Sequence, residues 1–172
     1  DEGISGFGEA GVCYSSGSDA ALGLLKDYAQ AIIGMNPMNN EQIWNKLHRD
    51  TFWGMGGGTI VFSAISAIDI ALWDIRGKAL NVPVYQLLGG KTNDKLRAYA
   101  SQIQFDWGPI CAPMVTPEDY ASAARKAMAE GYTAVKVDPV GFNMKGNWME
   151  WSNYGLLEYD QMKAAVDRVA AI

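Results

Sequence analysis

The most continuous run of hydrophobic positions in the chain begins at Ile60 and continues for about twenty residues. Apolar residues occur on nearly every side of the helix that this run would form, which is typical of a helix inside a protein core. A membrane span needs about 20 apolar residues without charges, whereas Asp69 and Asp74 interrupt this run. The pattern therefore predicts a buried helix. Asn81 and Pro83 should end it, with a short second helix starting at Pro83 and closing at Gly89–Gly90.

Two amphipathic helices are predicted before this run. The first is capped by Ser18 or Asp19 and extends to Ile33, and the second is capped by Asn40. His48 lies on the second helix and is predicted to be a surface or hydrogen-bonded residue.

The N-terminal segment, residues 3–11, contains the spacing G-x-G-x-x-G. A dinucleotide site would require a strand before these glycines and a helix directly after them. Neither is present in the pattern, so a glycine-bent strand followed by a polar loop is the preferred interpretation.

After Gly90 the pattern changes to strands alternating with helices. Residues 96–101 read as a strand, Thr116 begins a helix that Gly131 closes, and residues 133–138 read as a second strand. A further helix is marked by apolar residues at helical spacing, namely Tyr159, Met162, Val166 and Val169. Strand, helix, strand and helix with short links predict a parallel sheet.

The apolar run also carries a sequence signature. The string I-D-I-A-L-W-D-I-R-G-K-A, followed by P-V-Y-Q-L-L-G-G, resembles the signature of the mandelate racemase branch of the enolase superfamily. The resemblance implies an α/β fold, in which residues 1–92 are the C-terminal part of an α+β capping domain. Residues 93–172 would be the first two βα units of a (β/α)₈ barrel, which takes about 250 residues. We therefore expect a truncated barrel and a fragment of a longer protein.

Composition and charge narrow the function classes. The 172 residues are 49% hydrophobic and 19% charged, which is a globular composition. A net charge of −5 argues against a nucleic-acid partner, and no basic amphipathic stretch indicates a membrane surface. Cys13 and Cys111 form no metal-binding pattern, so we expect two free thiols and a cytoplasmic protein.

The strand at residues 133–138 carries the candidate chemistry. Alternation places Thr133, Val135 and Val137 on one face, and puts Lys136 and Asp138 on the other. Charges are costly to bury in a sheet, but the C-terminal ends of barrel strands form the catalytic mouth. From the pattern alone, a core salt bridge and a catalytic pair are about equally good interpretations.

The resemblance favours the catalytic interpretation. The family has a Lys-x-Lys triplet, or a variant of it, on the second barrel strand, and the matching triplet here is Lys136-Val137-Asp138. Lys136 would stabilise the enediolate formed when a proton next to a substrate carboxylate is removed. Asp138 replaces the second lysine, the base of the family's racemases, which favours the acid-sugar dehydratases. Asp138 would bind a substrate hydroxyl or orient Lys136.

Loops supply the remaining site predictions. In the resembled family the loop after the first glycine-rich strand covers the active site, which makes Tyr14, Ser15 and Ser16 candidate substrate contacts. The loop of residues 139–156, with Trp148 and Trp151, would form a lid or pack against the cap. The resemblance also implies Mg²⁺, whose carboxylate ligands we expect beyond Ile172, together with the principal base.

The predicted function is that of a Mg²⁺-dependent dehydratase of aldonates or aldarates. The partner would be a small sugar acid, the enzyme would be a homo-oligomer, and this fragment alone would be inactive. A racemase, epimerase or cycloisomerase on the same scaffold is the alternative enzyme. A non-catalytic module that shares the fold is the alternative outside enzymes.

Overall fold

The computed structural model describes residues 2–11, 16–149 and 155–172. The chain divides into two compact units, Asp1–Asp94 and Lys95–Ile172. The domain assignment made from the sequence, residues 1–92 and 93–172, stays a prediction about domains of the complete protein.

The first unit is helical. Its elements are α1 (Ser18–Ile32), α2 (Asn40–Arg49), α3 (Gly58–Leu80) and the short α4 (Val84–Leu87). Residues from three of these helices meet in one hydrophobic core, which is formed by Tyr28, Ile43, Leu47, Ala64, Ile65 and Leu72. The apolar run of the sequence is therefore the central helix of the first unit.

Helix α3 has 23 residues and is long and apolar enough, by length and composition alone, to cross a membrane. Ala64, Ile65 and Leu72 of α3 nevertheless pack against α1 and α2. One side of α3 therefore takes the predicted core position. Ile60, Ile70 and Leu80 are 37%, 50% and 50% exposed, so the prediction of a helix buried on nearly every side is confirmed only in part. The helix also ends as predicted, because Asn81 adopts the left-handed conformation at φ 53° and its N–H caps the last turn.

The helix starts differ from the prediction in detail. Ser18 is the first residue of α1 and Gly17 occupies the N-cap, without a side-chain cap hydrogen bond. Likewise Asn39 is the N-cap of α2, and Asn40 is a buried first-turn residue. Pro83 precedes α4 as its N-cap instead of occupying its first turn. The predicted caps are therefore wrong by one position at Ser18 and Asn40 and by two at Asp19. Helix ends are commonly uncertain by this amount.

The glycine-rich segment lies against α3. A Cβ atom on Gly6 would come within 2.1 Å of the Ala71 carbonyl oxygen, and one on Gly8 within 1.8 Å of the Ala67 carbonyl oxygen. Phe7 N–H donates to Asp74 Oδ2 at 2.9 Å. These glycines allow close backbone packing. Residues 2–11 contain no paired strand, so the predicted strand is wrong for the part of this segment that the structure describes.

Replacing Gly8 by alanine is expected to destabilise the protein by about 1–3 kcal/mol, because the added methyl group forces the segment away from α3. Gly11→Ala is the matched control, since a Cβ atom at Gly11 meets nothing within 4 Å. Urea unfolding followed by tryptophan fluorescence measures both changes. Equal midpoints for the two variants would contradict the close packing.

The described part of the second unit contains a small parallel sheet and the α-helices that flank its second strand in the sequence. Its elements are β1 (Ala100–Ser101), α5 (Pro117–Ala129), β2 (Val135–Lys136) and α6 (Tyr159–Ala171). The two strands pair in parallel, with Ala100 opposite Val135 and Ser101 opposite Lys136. Both strands are shorter than predicted, but their order and direction match the predicted parallel sheet. The described unit is thus mostly helical, and the completed barrel stays a prediction.

Helix α5 begins where the sequence predicts. Thr116 and Asp119 form a capping box, in which Thr116 Oγ1 accepts from the Asp119 N–H at 3.2 Å and Asp119 Oδ2 accepts from the Thr116 N–H at 2.8 Å. Pro117 follows as the first helical residue. Alanines of α5 then pack on the sheet in a second core, which contains Ala100, Ile103, Ala123, Ala124 and Ala127.

Candidate active site

The position of Lys136 on β2 determines which face of the parallel sheet its side chain occupies. Val135 and Val137 pack against the core between the sheet and α5. Because neighbouring side chains of a strand point to opposite faces, Lys136 lies on the face of the sheet opposite α5. Its side chain is exposed, and Ser101 is its partner on β1. This face therefore presents an ammonium group and a hydroxyl group side by side.

Asp138 ends the triplet in a turn. Its Oδ1 accepts a hydrogen bond from the Val140 N–H at 3.2 Å, so one carboxylate oxygen supports the local backbone. The Asp138 N–H donates to Gln104 Oε1 at 3.1 Å, and its carbonyl accepts from the Tyr120 hydroxyl at 3.5 Å. The structure thus gives Asp138 a role in the turn after β2.

A 3₁₀ turn, Ile103–Phe105, follows β1. Non-glycine residues with positive φ lie on both sides of it, Gln102 at 61° and Asp106 at 69°. Such conformations cost free energy for L-residues and often occur at functional sites. Within the turn Gln104 is only 3% exposed. Gln104 was not predicted from the sequence, because a glutamine after a strand carries no periodic signal of burial.

The Asp106 carboxylate is tied to α5 by an ion pair with Lys126 Nζ at 2.7 Å. The Lys126 hydrogen bond and the N–H of Trp107 hold the pKa of Asp106 below its ordinary value, against an opposing contribution from burial. A depressed carboxyl pKa stabilises the fold above the ordinary aspartate pKa, and this stabilisation is lost as the pH falls through the folded-state value.

Asp106→Asn is accordingly expected to lower the free energy of unfolding by about 1 kcal/mol or less at neutral pH. The difference from the parent should shrink as the pH falls below the ordinary aspartate pKa and through the lowered folded-state pKa, because the carboxyl group of the parent then becomes protonated. Urea unfolding at a series of pH values from neutral downwards measures the change. A difference that is independent of pH would contradict the contribution of the ionised pair.

Arg168 of α6 is a buried cation that the sequence analysis did not single out. It is 2% exposed, and its guanidinium donates to the carbonyl oxygens of Val115 at 2.8 Å, Pro139 at 2.6 Å and Phe142 at 2.9 Å. Its guanidinium carbon also lies 5.3 Å from the centre of the Tyr120 ring. One side chain thereby connects the segments that follow β1 and β2.

The charge of Arg168 contributes to the pKa values of two neighbouring groups, Tyr120 and Asp119. Burial raises the pKa of Tyr120, and the positive charge of Arg168 opposes that shift. The pKa of Asp119 is lowered, chiefly by hydrogen bonding to Thr116, with a smaller contribution from Arg168. Tyr120 is therefore expected to stay protonated and to act as a hydrogen-bond donor.

The loop after β2 is held by aromatic packing within the second unit. The Trp148 ring lies 5.4 Å from the ring of Phe105 and 5.3 Å from that of Phe142, between ring centres. A cavity of about 350 Å³ separates this loop from α6, and neither Lys136 nor Asp138 lines it. The predicted lid function of Trp148 stays a prediction, and Trp151 lies outside the described residues.

The predicted site residues are divided between the two units. Lys136 is the last residue of β2 and Asp138 lies in the turn that follows it, both in the second unit. Ser16 is exposed and precedes α1 in the first unit. Tyr14 and Ser15 lie outside the described residues, as does Cys13, whereas Cys111 is a free and exposed thiol.

The resemblance implies a Mg²⁺ ion, which would need several acidic side chains close together. Among residues 2–11, 16–149 and 155–172, no three His, Cys, Asp or Glu side chains are grouped so that they could hold a metal ion. The described side chains therefore do not fit a Mg²⁺ site. The prediction that the ligands lie beyond Ile172 stays a prediction.

A helical unit followed by a parallel βαβ unit matches the N-terminal part of enolase-superfamily structures. The family model for the mandelate racemase and muconate lactonizing enzyme N-terminal domain matches residues 1–89. The chain therefore belongs to this family of the enolase superfamily, as the signature in α3 predicts.

Two solved structures are similar to this chain. A protein from Zymomonas mobilis ZM4, whose assignment as a dehydratase is provisional, is 54% identical to this chain with a TM-score of 0.94. The match covers 100% of this chain and 44% of the Zymomonas chain. A member of the enolase superfamily from Salmonella Typhimurium is 52% identical to this chain with a TM-score of 0.95. The match covers 100% of this chain and 45% of the Salmonella chain.

Curated relatives agree over part of the chain. The D-galactonate dehydratase of Pectobacterium atrosepticum is 50% identical over 101 residues, which are 58% of this chain and 25% of the relative. The D-galactonate dehydratase family member RspA of Cellvibrio japonicus is 34% identical over 138 residues, 80% of this chain and 31% of the relative. The chain thus spans less than half of the length of these relatives.

Proposed function

We propose that the chain forms the cap and the opening barrel strands of a sugar-acid dehydratase. The substrate class is an aldonate or aldarate, and the product is a 2-keto-3-deoxy acid. The observation that carries the proposal is the position of Lys136, which is exposed on the face of β2 opposite α5. The likeness to D-galactonate dehydratases supports the same reaction class and suggests galactonate as the first substrate to test.

Dehydration of a sugar acid requires removal of the proton at C2 and loss of the hydroxyl group at C3 as water. The resulting enol then tautomerises to the 2-keto acid. Negative charge develops on the carboxylate as the C2–H bond breaks, and a fixed ammonium group stabilises that charge. We assign this role to Lys136, while Asp138 binds a substrate hydroxyl group or orients Lys136.

The remaining groups are assigned outside these 172 residues. We expect a base on a later strand and Mg²⁺ held by Asp, Glu and Glu at successive strand ends. The next hundred or so codons of the encoding DNA test this arrangement directly. Three acidic residues at strand ends support an enzyme, and their absence supports a non-catalytic module.

The decisive experiment uses the complete open reading frame. The purified protein is incubated with Mg²⁺ and a panel of sugar acids that begins with D-galactonate, and 2-keto-3-deoxy acid formation is measured. The same incubations in deuterium oxide distinguish the alternative enzyme, because a racemase or epimerase incorporates deuterium at the α-carbon without loss of water. Absence of a 2-keto product from every acid would overturn the dehydratase proposal.

A further inference from the structure

The pairing of β1 with β2 follows a regular parallel pattern as far as Ser101. The Ala100 N–H donates to the Ala134 carbonyl at 3.0 Å, and Ala100 and Ser101 pair with Val135 and Lys136. Hydrogen bonds in a parallel ladder are evenly spaced, each strand donating at every second residue. Continued by one step, the pattern would have the Asp138 N–H donate to the carbonyl of Gln102.

The carbonyl group of Gln102 accepts a different hydrogen bond instead. Gln102 adopts the left-handed conformation, with φ 61° and ψ 46°, and its carbonyl accepts from the Phe105 N–H at 3.1 Å in the 3₁₀ turn. The main chain of β1 therefore leaves the sheet immediately after Ser101. Without another acceptor, the Asp138 N–H would lose its ladder partner at the end of the candidate catalytic triplet.

The Gln104 side chain supplies the substitute acceptor. Its Oε1 accepts from the Asp138 N–H at 3.1 Å, and its backbone carbonyl accepts from the Met114 N–H at 2.9 Å. The residue is 3% exposed, so its side chain is held by packing as well as by the hydrogen bond to Asp138. The side-chain oxygen of Gln104 thus takes the acceptor role that the main-chain carbonyl of Gln102 would have in a continued ladder.

We propose that Gln104 is a positioning residue for Lys136 and Asp138. It continues the pairing of the two strands by one further hydrogen bond, which fixes the backbone of the triplet while the main chain of β1 turns away. The assignment of a catalytic consequence rests on the proposed dehydratase function. The hydrogen-bonding role itself does not depend on that function and has its own measurement.

The test uses three variants of the complete protein. Gln104→Met keeps the length of the side chain but removes the acceptor, and Gln104→Glu keeps an acceptor oxygen. Gln161→Met is the matched control, because Gln161 Oε1 also accepts from a backbone N–H, that of Glu158 at 3.0 Å, at the start of α6.

The first measurement is hydrogen–deuterium exchange with residue-level fragmentation. Loss of one net hydrogen bond is expected to speed exchange of the Asp138 amide about tenfold in Gln104→Met. Exchange at Asp138 should stay at the parental rate in Gln104→Glu and in Gln161→Met. An unchanged rate in Gln104→Met would overturn the proposal, whatever reaction the protein catalyses.

The second measurement is steady-state kinetics on the best sugar acid. Displacement of a catalytic group can cost about 100-fold in rate, so Gln104→Met should lower kcat by about this factor with KM changed by less than about threefold. Gln104→Glu should restore most of kcat. A parental kcat in Gln104→Met despite faster Asp138 exchange would overturn the catalytic consequence. Absence of any dehydration in the parent would overturn the proposed function and leave the exchange result to decide the positioning role.

Discussion

Replacing Arg168 by methionine is expected to lower the free energy of unfolding by about 2–4 kcal/mol. The guanidinium donates to three carbonyl groups, those of Val115, Pro139 and Phe142, within a site that is almost closed to solvent. Methionine fills much of the same volume but donates no hydrogen bond, so these three carbonyl groups, of which that of Phe142 is buried, lose this donor. Removing the cost of burying the charge offsets only part of this loss.

Urea unfolding of the chain followed by tryptophan fluorescence measures the effect. Arg125→Met is the matched control, because Arg125 is exposed on α5 and pairs only with the exposed Glu118 among the described residues. That exposed pair should contribute about 1 kcal/mol or less. Arg168→Lys is expected to be intermediate, since one ammonium group cannot reproduce the planar fork of donors. Equal stabilities of Arg168→Met and Arg125→Met would contradict the buried network.

Local patterns predicted the elements whose ends and faces depend on nearby residues. The central helix α3 could be predicted because its hydrophobic run exceeds what a surface helix needs, and Asn81 stops it by a local backbone conformation. Helix α5 could be predicted from Thr116, Pro117 and Asp119, which form the cap among themselves. These signals operate within a few residues and need no tertiary contact.

Helix α6 shows where local pattern fails. Its apolar positions predicted a helix correctly, yet Tyr159 and Val166 are 73% and 66% exposed, whereas Arg168 of the same helix is buried. Helical spacing identifies an apolar stripe but does not specify which side faces the neighbouring elements. Arg168 can be buried because carbonyl groups distant in sequence accept its hydrogen bonds.

The candidate site likewise has one residue that the sequence pattern could assign and one that it could not. The face of Lys136 follows from the two-residue period of a strand, so sequence alone could assign it. Gln104 could not be assigned, because its burial depends on the left-handed conformation of Gln102 and on the register of the neighbouring strand. When a side chain replaces a main-chain acceptor between residues distant in sequence, no periodic sequence pattern indicates it.

Lys136→Met in the complete protein is expected to lower kcat/KM for the sugar acid that the enzyme dehydrates by about 10²–10³-fold. The reason is the proposed role of the ammonium group, which stabilises charge on the substrate as the α-proton is removed. The fold should be little affected, because Lys136 is exposed and takes part in no ion pair within the described part of the chain.

Lys163→Met is the control for Lys136→Met, since it makes the same substitution at an exposed lysine of α6 that pairs with Asp167. Initial rates of 2-keto acid formation, together with unfolding midpoints of both variants, separate a catalytic loss from a structural one. The control should keep parental kinetics and a similar midpoint. Parental kcat/KM in Lys136→Met would remove Lys136 from the catalytic machinery, because an ammonium group that faces the reacting carboxylate cannot be deleted without cost to the transition state.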